Sequence, residues 1–387
     1  MFRALCTALY LAAAAPLSAA DDPIKIGSVL TLSGPGAPLG IHMRDAAQLA
    51  LAQLDYTMAG RPVELIVVDD ELKPDVAVTR VNELLERHRV DFVTGVVFSN
   101  VLMAVLRPVV RSETFFIGAN AGPSPVAGRR CQAFFFSTSW QNDQIHEVMG
   151  QYASDQSLQR VFLLAPNYQA GKDALAGFQR RYRGEVVDIA LTPLGNLDFS
   201  AELAKIASAQ PDALYTFMPG GMGVNLVRQF NAAGLKEKVA FLSAFTVDET
   251  TLPATKDAAV GLYGAAQWAP NLDNPANKAF VAAFEDQYDY PPSLYAAQAY
   301  DAIALIHSAV EAVEGDLSDK DRLRAALKAA DFESVRGDFA FGANQFPIQD
   351  FWLTQAVQRG DGAFVTEARQ VVFEDMVDAY AADCPLD

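Results

Sequence analysis

Short apolar runs alternate with helix-patterned segments along this chain, and that alternation restricts its fold more than any other feature. The apolar runs are rich in β-branched and aromatic residues and predict short buried strands. The predicted strands are 63–69, 91–96, 115–118, 160–165, 185–191, 213–217 and 239–243. The predicted helices between them are 43–54, 74–87, 100–110, 143–154, 171–178, 200–209 and 220–233. Because parallel strands joined through a helix form a right-handed crossover, the alternation predicts an α/β fold with doubly wound parallel sheets.

The strand and helix pattern restarts after 134–136, so we expect two lobes of similar size. Further helices are predicted at 274–288, 293–313 and 319–330, and the pattern from 335 onward is typical of a β-hairpin and extended chain. No flexible linker separates the halves, which predicts lobes joined by several chain crossings around a cleft. A chain of 387 residues is long enough for two domains with complete cores.

The N-terminal segment 1–20 is typical of a secretory signal peptide. Arg3 provides a positive charge, 4–17 is apolar, and the small residues at 18–20 fit a cleavage site near Ala20. The apolar stretch is shorter than the roughly 20 residues that a membrane-spanning helix needs. We therefore expect the mature chain to be exported to the periplasm and not to insert into the membrane.

A short predicted strand in the run that begins at Ile24 breaks into a turn rich in serine, glycine and proline, at 33–40, which leads into a helix. In this position backbone N–H groups lie at the edge of a cleft, where they favour an anion or a polar ligand. Gly34, Gly36 and Gly40 come within one position of a dinucleotide-binding fingerprint. The prolines of the turn remove N–H donors that a pyrophosphate would use. We therefore expect capture of a small molecule and no cofactor.

The composition argues against several function classes. The formal net charge of −17 disfavours nucleic acid and anionic membranes as partners. The sequence contains no Gly-x-Ser-x-Gly elbow, Walker A loop or Cys-x-x-Cys pair. The histidines lack metal-ligand spacing, and we expect each on the surface or on a helix face; they are His42, His88, His146 and His307. The sequence therefore predicts neither an enzyme nor a metal site.

Two cysteines, Cys131 and Cys384, remain in the predicted mature chain. An even number of cysteines in an oxidising compartment favours a disulfide, which here would attach the C-terminal tail to the first half of the chain. The alternative is a pair of buried free thiols.

The run from Ile26 to Pro35, the helix after Gly40 and the segment 95–100 together resemble the periplasmic substrate-binding proteins of the branched-chain amino-acid type, which serve ABC importers. The resemblance extends over essentially the whole mature chain. It implies a type I periplasmic binding fold, a monomer that closes on its ligand by hinge bending, and an ABC permease as membrane partner.

The resemblance also implies the lobe boundaries. The chain would cross between the lobes three times, near 137–140, 268–272 and 335–341. The N-terminal lobe would comprise 21–138 plus 272–335, and the C-terminal lobe 139–271 plus 336–387.

The resemblance also implies which residues of this chain contact the ligand. Ser99 matches the serine that binds the ligand's carboxylate, and the loop 120–122 matches one that supplies N–H groups. Tyr168 matches an aromatic residue that closes over the ligand from the second lobe. The predicted ligand-binding residues are Leu39, Phe98, Ser99, Asn100, Asn120, Ala121, Gly122, Trp140, Tyr168, Phe217 and Phe245.

Departures from the amino-acid binders point to a different ligand. Phe245 occupies the position of the carboxylate that pairs with the ligand's ammonium, Leu39 stands where a tyrosine is frequent, and Gly122 replaces a hydroxyl residue. An unpaired ammonium in a dry cleft costs several kcal/mol. The segment 120–144 also resembles family members that bind benzoate and cinnamate derivatives. Within this segment, Trp140 and Asn142 are the better ligand candidates, since they lie at the first crossing and the start of the next helix. The sequence therefore predicts a receptor for a small aromatic carboxylate, with Trp268 as either a hinge or a ligand residue.

Two other functions stay open. One is a receptor for an aliphatic amino acid or amide, in which Asp248 or Glu249 reaches the cleft. The other is the ligand-sensing component of a signalling receptor.

Overall fold

The computed structural model describes residues 22–386. The predicted signal peptide and its cleavage site lie outside the described residues. The described strands are β1 (Ile24–Leu30), β2 (Thr57–Met58), β3 (Arg61–Asp69), β4 (Phe92–Gly95), β5 (Phe115–Gly118), β6 (Phe135–Ser137), β7 (Arg160–Pro166), β8 (Glu185–Thr192), β9 (Ala213–Thr216), β10 (Ala240–Ala244), β11 (Tyr263–Ala266), β12 (Ala340–Phe341), β13 (Pro347–Gln358) and β14 (Phe364–Met376). The described α-helices are α1 (Ala37–Gln53), α2 (Pro74–Asn82), α3 (Ser99–Arg111), α4 (Ser124–Ala127), α5 (Asn142–Asp155), α6 (Gln169–Arg181), α7 (Ser200–Ala209), α8 (Gly221–Ala232), α9 (Leu252–Thr255), α10 (Pro275–Tyr288), α11 (Leu294–Ala312) and α12 (Lys320–Ala329).

The strands form two sheets, and the predicted α/β class with two lobes is confirmed. The first sheet has the order β2-β3-β1-β4-β5-β6 and is parallel except for the short β2. The helices α1, α10 and α11 pack together in this first lobe. They bury apolar faces against one another, so α10 and α11 return to the first lobe although they follow the strands of the second.

The second sheet differs from the prediction at one edge. Its order is β12-β13-β11-β10-β9-β7-β8, with β14 paired to β13. The strands β7 to β11 run parallel, but β13 is antiparallel to both β11 and β14. The short connection between β13 and β14 permits only an antiparallel pair, and the chain that returns after α12 meets β11 in the antiparallel direction. The hairpin predicted after 335 is therefore present, and it makes the second sheet mixed.

The turn predicted at 33–40 is shorter than expected. A single 3₁₀ turn spans Gly34–Gly36, and α1 begins at Ala37. Pro38 lies in the first turn of α1, where its missing N–H leaves no helical hydrogen bond unmade. Gly40 is already helical, and a Cβ there would lie 2.1 Å from the carbonyl oxygen of Thr31. Glycine therefore lets α1 approach the end of β1 closely.

The chain passes between the two sheets three times: after β6, after β11 and after α12. The buried Arg336 connects two of these crossings. Its guanidinium donates to the carbonyl oxygen of Ser139 at 3.1 Å and to Asp301 Oδ2 at 3.0 Å. It also donates to Gln349 Oε1 at 2.6 Å. A guanidinium satisfies several acceptors in one plane, so this residue fixes the third crossing against the first.

A disulfide joins Cys131 to Cys384, the first of the two alternatives that the sequence allowed. The tail after β14 also contacts the second lobe through side chains. Asn344 donates to Asp378 Oδ2 at 2.8 Å, and the hydroxyl of Tyr380 donates to Asp143 Oδ2 at 2.9 Å. Within 22–386, no helix combines the length and apolar character needed to cross a bilayer.

Candidate ligand-binding site

A small cavity of about 30 Å³ lies between the lobes, where the strands of both sheets end. It has room for about two water molecules. Its lining consists of Leu39, Val97, Phe98, Ser99, Asn120, Ala121, Trp140, Asn142, His146, Tyr168, Ala170, Phe217, Pro219, Phe245 and Tyr295. None of these residues carries a carboxylate or a cationic side chain. The cavity thus combines aromatic surface with a few neutral polar groups.

Ser99 provides the strongest anion-binding feature of the first lobe. It is the first residue of the 13-residue helix α3, and it is 1% exposed. Its hydroxyl oxygen accepts a hydrogen bond from Asn142 Nδ2 at 3.1 Å. Because the oxygen accepts, the hydroxyl proton is available to a group in the cavity. The partial positive charge at the start of α3 adds a preference for a negative group there.

Asn142 holds Ser99 in that arrangement. Its Oδ1 accepts from the backbone N–H of Gly122 at 3.0 Å, and its Nδ2 also donates to Asp173 Oδ2 at 2.9 Å. The N–H of Gly122 only donates, so its partner must be Oδ1, and Nδ2 is left to donate to Ser99 and Asp173. Asn142 belongs to the first turn of α5, directly after the first crossing. The site is therefore assembled across the two lobes.

The loop 120–122 differs from the prediction in how its N–H groups are used. The N–H of Ala121 donates to the carbonyl oxygen of Val96 at 3.2 Å, and that of Gly122 donates to Asn142. Neither is available to an anion in this structure. A Cβ at Gly122 would lie 1.9 Å from the carbonyl oxygen of Trp140. Glycine at 122 therefore serves close backbone packing, which explains the absence of the expected hydroxyl side chain.

Aromatic rings form the opposite wall of the cavity. Trp140 and Phe245 stack with centroids 4.7 Å apart and an interplanar angle of 29°. Tyr168 and Phe217 lie nearly parallel, at 6.2 Å and 18°. Such surfaces favour a flat apolar ligand through offset or edge-on contacts. Burial raises the pKa of the Tyr168 hydroxyl, so this side chain is neutral.

The two acids that could have completed an amino-acid site do not line the cavity. Glu249 Oε1 accepts from the backbone N–H and the hydroxyl of Thr366, both at 2.7 Å. Asp248 Oδ1 accepts from the hydroxyl of Thr250 at 2.5 Å. Burial raises the pKa of both carboxyls, that of Glu249 to about 7. Tyr295 lines the cavity and is also close enough to Asp248 to affect the pKa of that carboxyl.

His146 is a lining residue that the sequence reasoning missed. We expected it on the surface or a helix face, but it is 1% exposed and forms a hydrogen bond with the Tyr215 hydroxyl. Its ring meets Phe217 and Phe245 edge-on, at 5.2 Å and 5.7 Å. Burial lowers the pKa of His146 to about 3, so the imidazole is neutral. The available signal was its position one helical turn after Asn142.

His42 lies on a face of α1, in agreement with that expectation, but this face is covered. It is also buried, and its ring lies 4.7 Å from that of Tyr290. Packing of α1 against α10 and α11 covers this face, a tertiary contact that the local pattern does not specify.

Most of the predicted site residues line this one cavity, and two do not. The lining includes nine of them: Leu39, Phe98, Ser99, Asn120, Ala121, Trp140, Tyr168, Phe217 and Phe245. Asn100 and Gly122 are outside the lining. Trp268 is also outside, and its indole N–H donates to Asn277 Oδ1 at 2.6 Å, which favours the hinge interpretation. Asn142, the candidate named beside Trp140, also lines the cavity, whereas His146 and Tyr295 are polar lining residues that the sequence did not indicate.

Comparisons with known proteins agree with this geometry. A family model described as periplasmic binding protein matches residues 23–362. Leu/Ile/Val-binding protein homolog 6 of Brucella melitensis biotype 1 is 25% identical over 382 residues, covering 96% of this chain and 97% of the relative.

Two solved structures are also similar. An ABC transporter solute-binding protein from R. palustris, in complex with benzoate, has a TM-score of 0.89 and 30% identity, covering 94% of this chain and 100% of that one. A solute-binding protein from Rhodopseudomonas palustris BisB5, in complex with 3,4-dihydroxybenzoic acid, has a TM-score of 0.87 and 27% identity, covering 93% and 99%.

The family match extends over most of the described residues, and the similar structures share both lobes of the fold. The resemblance inferred from the sequence is thereby confirmed. This chain belongs to the periplasmic binding protein family, with the fold of the solute-binding proteins of ABC transporters.

Proposed function

We propose that this chain is a non-catalytic periplasmic receptor that binds a small aromatic carboxylate between its lobes and delivers it to an ABC importer. The ligand class is a benzoate, hydroxybenzoate or cinnamate type acid. One observation carries the proposal: the Ser99 hydroxyl, at a helix N-terminus, faces aromatic rings in a cavity whose lining has no ionisable acid.

The carboxylate belongs at the Ser99 end of the cavity. Ser99 and the N-terminus of α3 supply a hydrogen-bond donor and a favourable dipole there. A charge-assisted hydrogen bond of this kind contributes about 1.5–3 kcal/mol. The ring belongs between the aromatic side chains around Trp140 and Phe217, where stacking and edge contacts replace water.

An amino-acid ligand fits this lining less well. Its ammonium group would lie in a dry cavity without a counter-charge, because Phe245 occupies the wall and Glu249 is bonded to Thr366. Burial of an unpaired charge is strongly unfavourable. The lining therefore supports a ligand with one negative group and no positive group.

The size of the cavity implies movement. A volume of about 30 Å³ is smaller than a benzoate needs, so the walls must separate before the ligand enters. We propose that the lobes, 21–138 plus 272–335 and 139–271 plus 336–387, part at the three crossings and close again over the ligand. We further propose that the chain is a monomer and that it is exported with cleavage near Ala20.

A Leu/Ile/Val-type receptor is the second candidate. It is favoured by the description of the Brucella relative and by the buried Asp248 carboxyl near Tyr295. Rotation of Tyr295 could give an ammonium access to that carboxyl. In a sensing role, the same binding event would be reported to a separate membrane partner.

Binding measurements on the periplasmic form separate these candidates. Calorimetric titration with benzoate, 4-hydroxybenzoate, cinnamate, leucine, valine and leucinamide should show saturable binding of at least one aromatic acid. Binding of leucine or valine alone would refute the aromatic-acid proposal. Mass spectrometry of the ligand retained after purification identifies the natural compound independently.

A further inference from the structure

We propose that His146 donates its Nε2–H to an oxygen on the ring of the bound acid, so that the site selects aromatic carboxylates with a ring hydroxyl. This inference rests on the proposed function and adds a specificity-determining residue to it. The observations behind it concern His146, its partner Tyr215 and the helix that carries His146.

The Tyr215 hydroxyl determines which ring nitrogen of His146 carries the proton. Tyr215 is fully buried, and burial raises the pKa of its hydroxyl well above 10, so the hydroxyl keeps its proton. Within residues 22–386, the only hydrogen-bond partner of that hydroxyl is His146 Nδ1. A buried hydroxyl proton without an acceptor is costly. The Tyr215 hydroxyl therefore donates to Nδ1.

The tautomer of His146 follows directly. When Nδ1 accepts, a neutral imidazole carries its proton on Nε2. The Nε2 atom forms no hydrogen bond with any residue that the structure describes. Nor is it sealed in the protein, unlike His42 Nδ1, which is fully buried without a partner. The open space next to His146 is the cavity that it lines, so an N–H donor faces the ligand.

The position of His146 suits an oxygen at the far side of a benzoate ring. Asn142, which bonds Ser99, and His146 are four residues apart on α5 and therefore lie on the same face. Their separation along the helix is about 6 Å. A benzene ring with substituents at opposite ends has a similar length. A carboxylate at Ser99 thus directs a 3- or 4-substituent of its ring toward His146.

The neutral state of His146 defines the substituent. A neutral donor offers no charge to a second carboxylate, and it needs an acceptor. A hydroxyl oxygen accepts, whereas an aniline nitrogen mainly donates and a methyl group does neither. Unsubstituted benzoate would leave the Nε2–H without a partner in a water-poor cavity. The inferred ligand class is therefore hydroxylated benzoates.

Three ligands of similar shape test this directly: 4-hydroxy-, 4-amino- and 4-methylbenzoate, with their 3-substituted isomers. For the unaltered protein we expect one hydroxybenzoate to bind roughly tenfold more tightly than its amino and methyl counterparts. His146→Leu should reduce that ratio to about one, and His146→Gln, which keeps an N–H donor, should restore part of it.

Including unsubstituted benzoate among the titrated ligands distinguishes a failure of the His146 inference from a failure of the proposed aromatic-acid receptor function. If some aromatic acid binds but the hydroxyl preference is absent, or persists in His146→Leu, the His146 inference is refuted and the proposed function stands. If no aromatic acid binds, both are refuted.

A second measurement uses the unaltered protein and therefore does not require any variant to fold. Nitrogen-15 NMR of the ligand-free protein distinguishes the two neutral tautomers of histidine. We expect the Nε2–H form for His146. A proton on Nδ1 would contradict the inference, because His146 would then present an acceptor to the cavity.

Discussion

Ser124 of the first lobe and Asp173 of the second are joined by two hydrogen bonds: the Ser124 hydroxyl donates to Asp173 Oδ1 at 2.7 Å, and the Ser124 N–H donates to Asp173 Oδ2 at 3.1 Å. Asn142 donates to the same carboxylate. This pair therefore connects the lobes beside the cavity in the arrangement that the structure shows. It also restrains the residue that orients Ser99.

Removal of the carboxylate should favour the open arrangement. We expect Asp173→Ala to increase the radius of gyration of the ligand-free protein and to weaken ligand binding about tenfold, because closure loses hydrogen bonds to a charged group. Small-angle scattering and titration calorimetry measure these effects. Ser124→Ala removes one donor and should give a smaller change. Equal affinities in Asp173→Ala and the unaltered protein would show that the pair does not control closure.

Ser99→Ala should weaken binding of an aromatic acid by about 1.5–3 kcal/mol, since it removes a hydrogen bond to a charged group. Ser112→Ala is a matched control, because Ser112 lies at the other end of α3 and bonds the carbonyl oxygen of Val109. The control should leave affinity unchanged. A loss well below this range would place the carboxylate elsewhere in the cavity.

Phe245→Glu should reduce affinity for an aromatic acid much more than Phe245→Gln. Both changes remove the stack with Trp140, but only glutamate places an unpaired negative charge in the wall against which the ligand's ring packs. The difference between the two variants isolates the charge. If the two variants bind the acid equally, Phe245 does not contact the ligand. Leucine binding gained in Phe245→Glu would indicate a recovered ammonium site.

Glu249 should make folding stability depend on pH. Burial raises the pKa of Glu249 from 4.5 to about 7, so the folded chain holds a proton that the unfolded chain has already released. Between these values its contribution is largest at low pH and is lost as pH rises through about 7, an effect on the order of 1–3 kcal/mol. Denaturant unfolding of the unaltered protein and Glu249→Gln from pH 5 to 8 checks this. The stability difference between them should change with pH, and a constant difference would contradict the shift.

The Cys131–Cys384 bridge should contribute about 2–5 kcal/mol to stability. It closes a loop of 253 residues and therefore restricts the unfolded chain strongly. The double variant Cys131→Ser and Cys384→Ser should unfold at lower denaturant concentration than the unaltered protein. Thiol labelling of the denatured protein without reductant should find no free thiol. Two labelled thiols would establish the free-cysteine alternative.

The positions of most helices and strands could be predicted because they depend on residues close together in the sequence. The side chains of Asn274 and Ser293 cap α10 and α11 through backbone N–H groups three residues on, which sets where those helices begin. The antiparallel β13 was foreseeable only as part of a hairpin. Its pairing with β11 depends on how the returning chain meets the second sheet.

The polar part of the site was less accessible to sequence reasoning. The contact of Ser99 with Asn142 joins residues 43 positions apart and in different lobes. The role of His146 depends on Tyr215, which lies on another element. No local pattern specifies such pairs. The aromatic lining residues were predicted because each matches a ligand-contact position of the family one residue at a time. Whether an N–H group of the loop 120–122 is free for a ligand depends instead on whether a nearby carbonyl oxygen already accepts its hydrogen bond.

Arg336 links two of the three chain segments that cross between the lobes. One guanidinium holds the carbonyl oxygen of Ser139 and the side chains of Asp301 and Gln349. Two of the three connecting segments are thereby coupled, and a bend in one is transmitted to the other. Because one side chain bonds both segments, a rotation of one lobe against the other would have to move the two segments together. If the lobes open and close as proposed, this coupling would return the same cavity walls to the same positions each time.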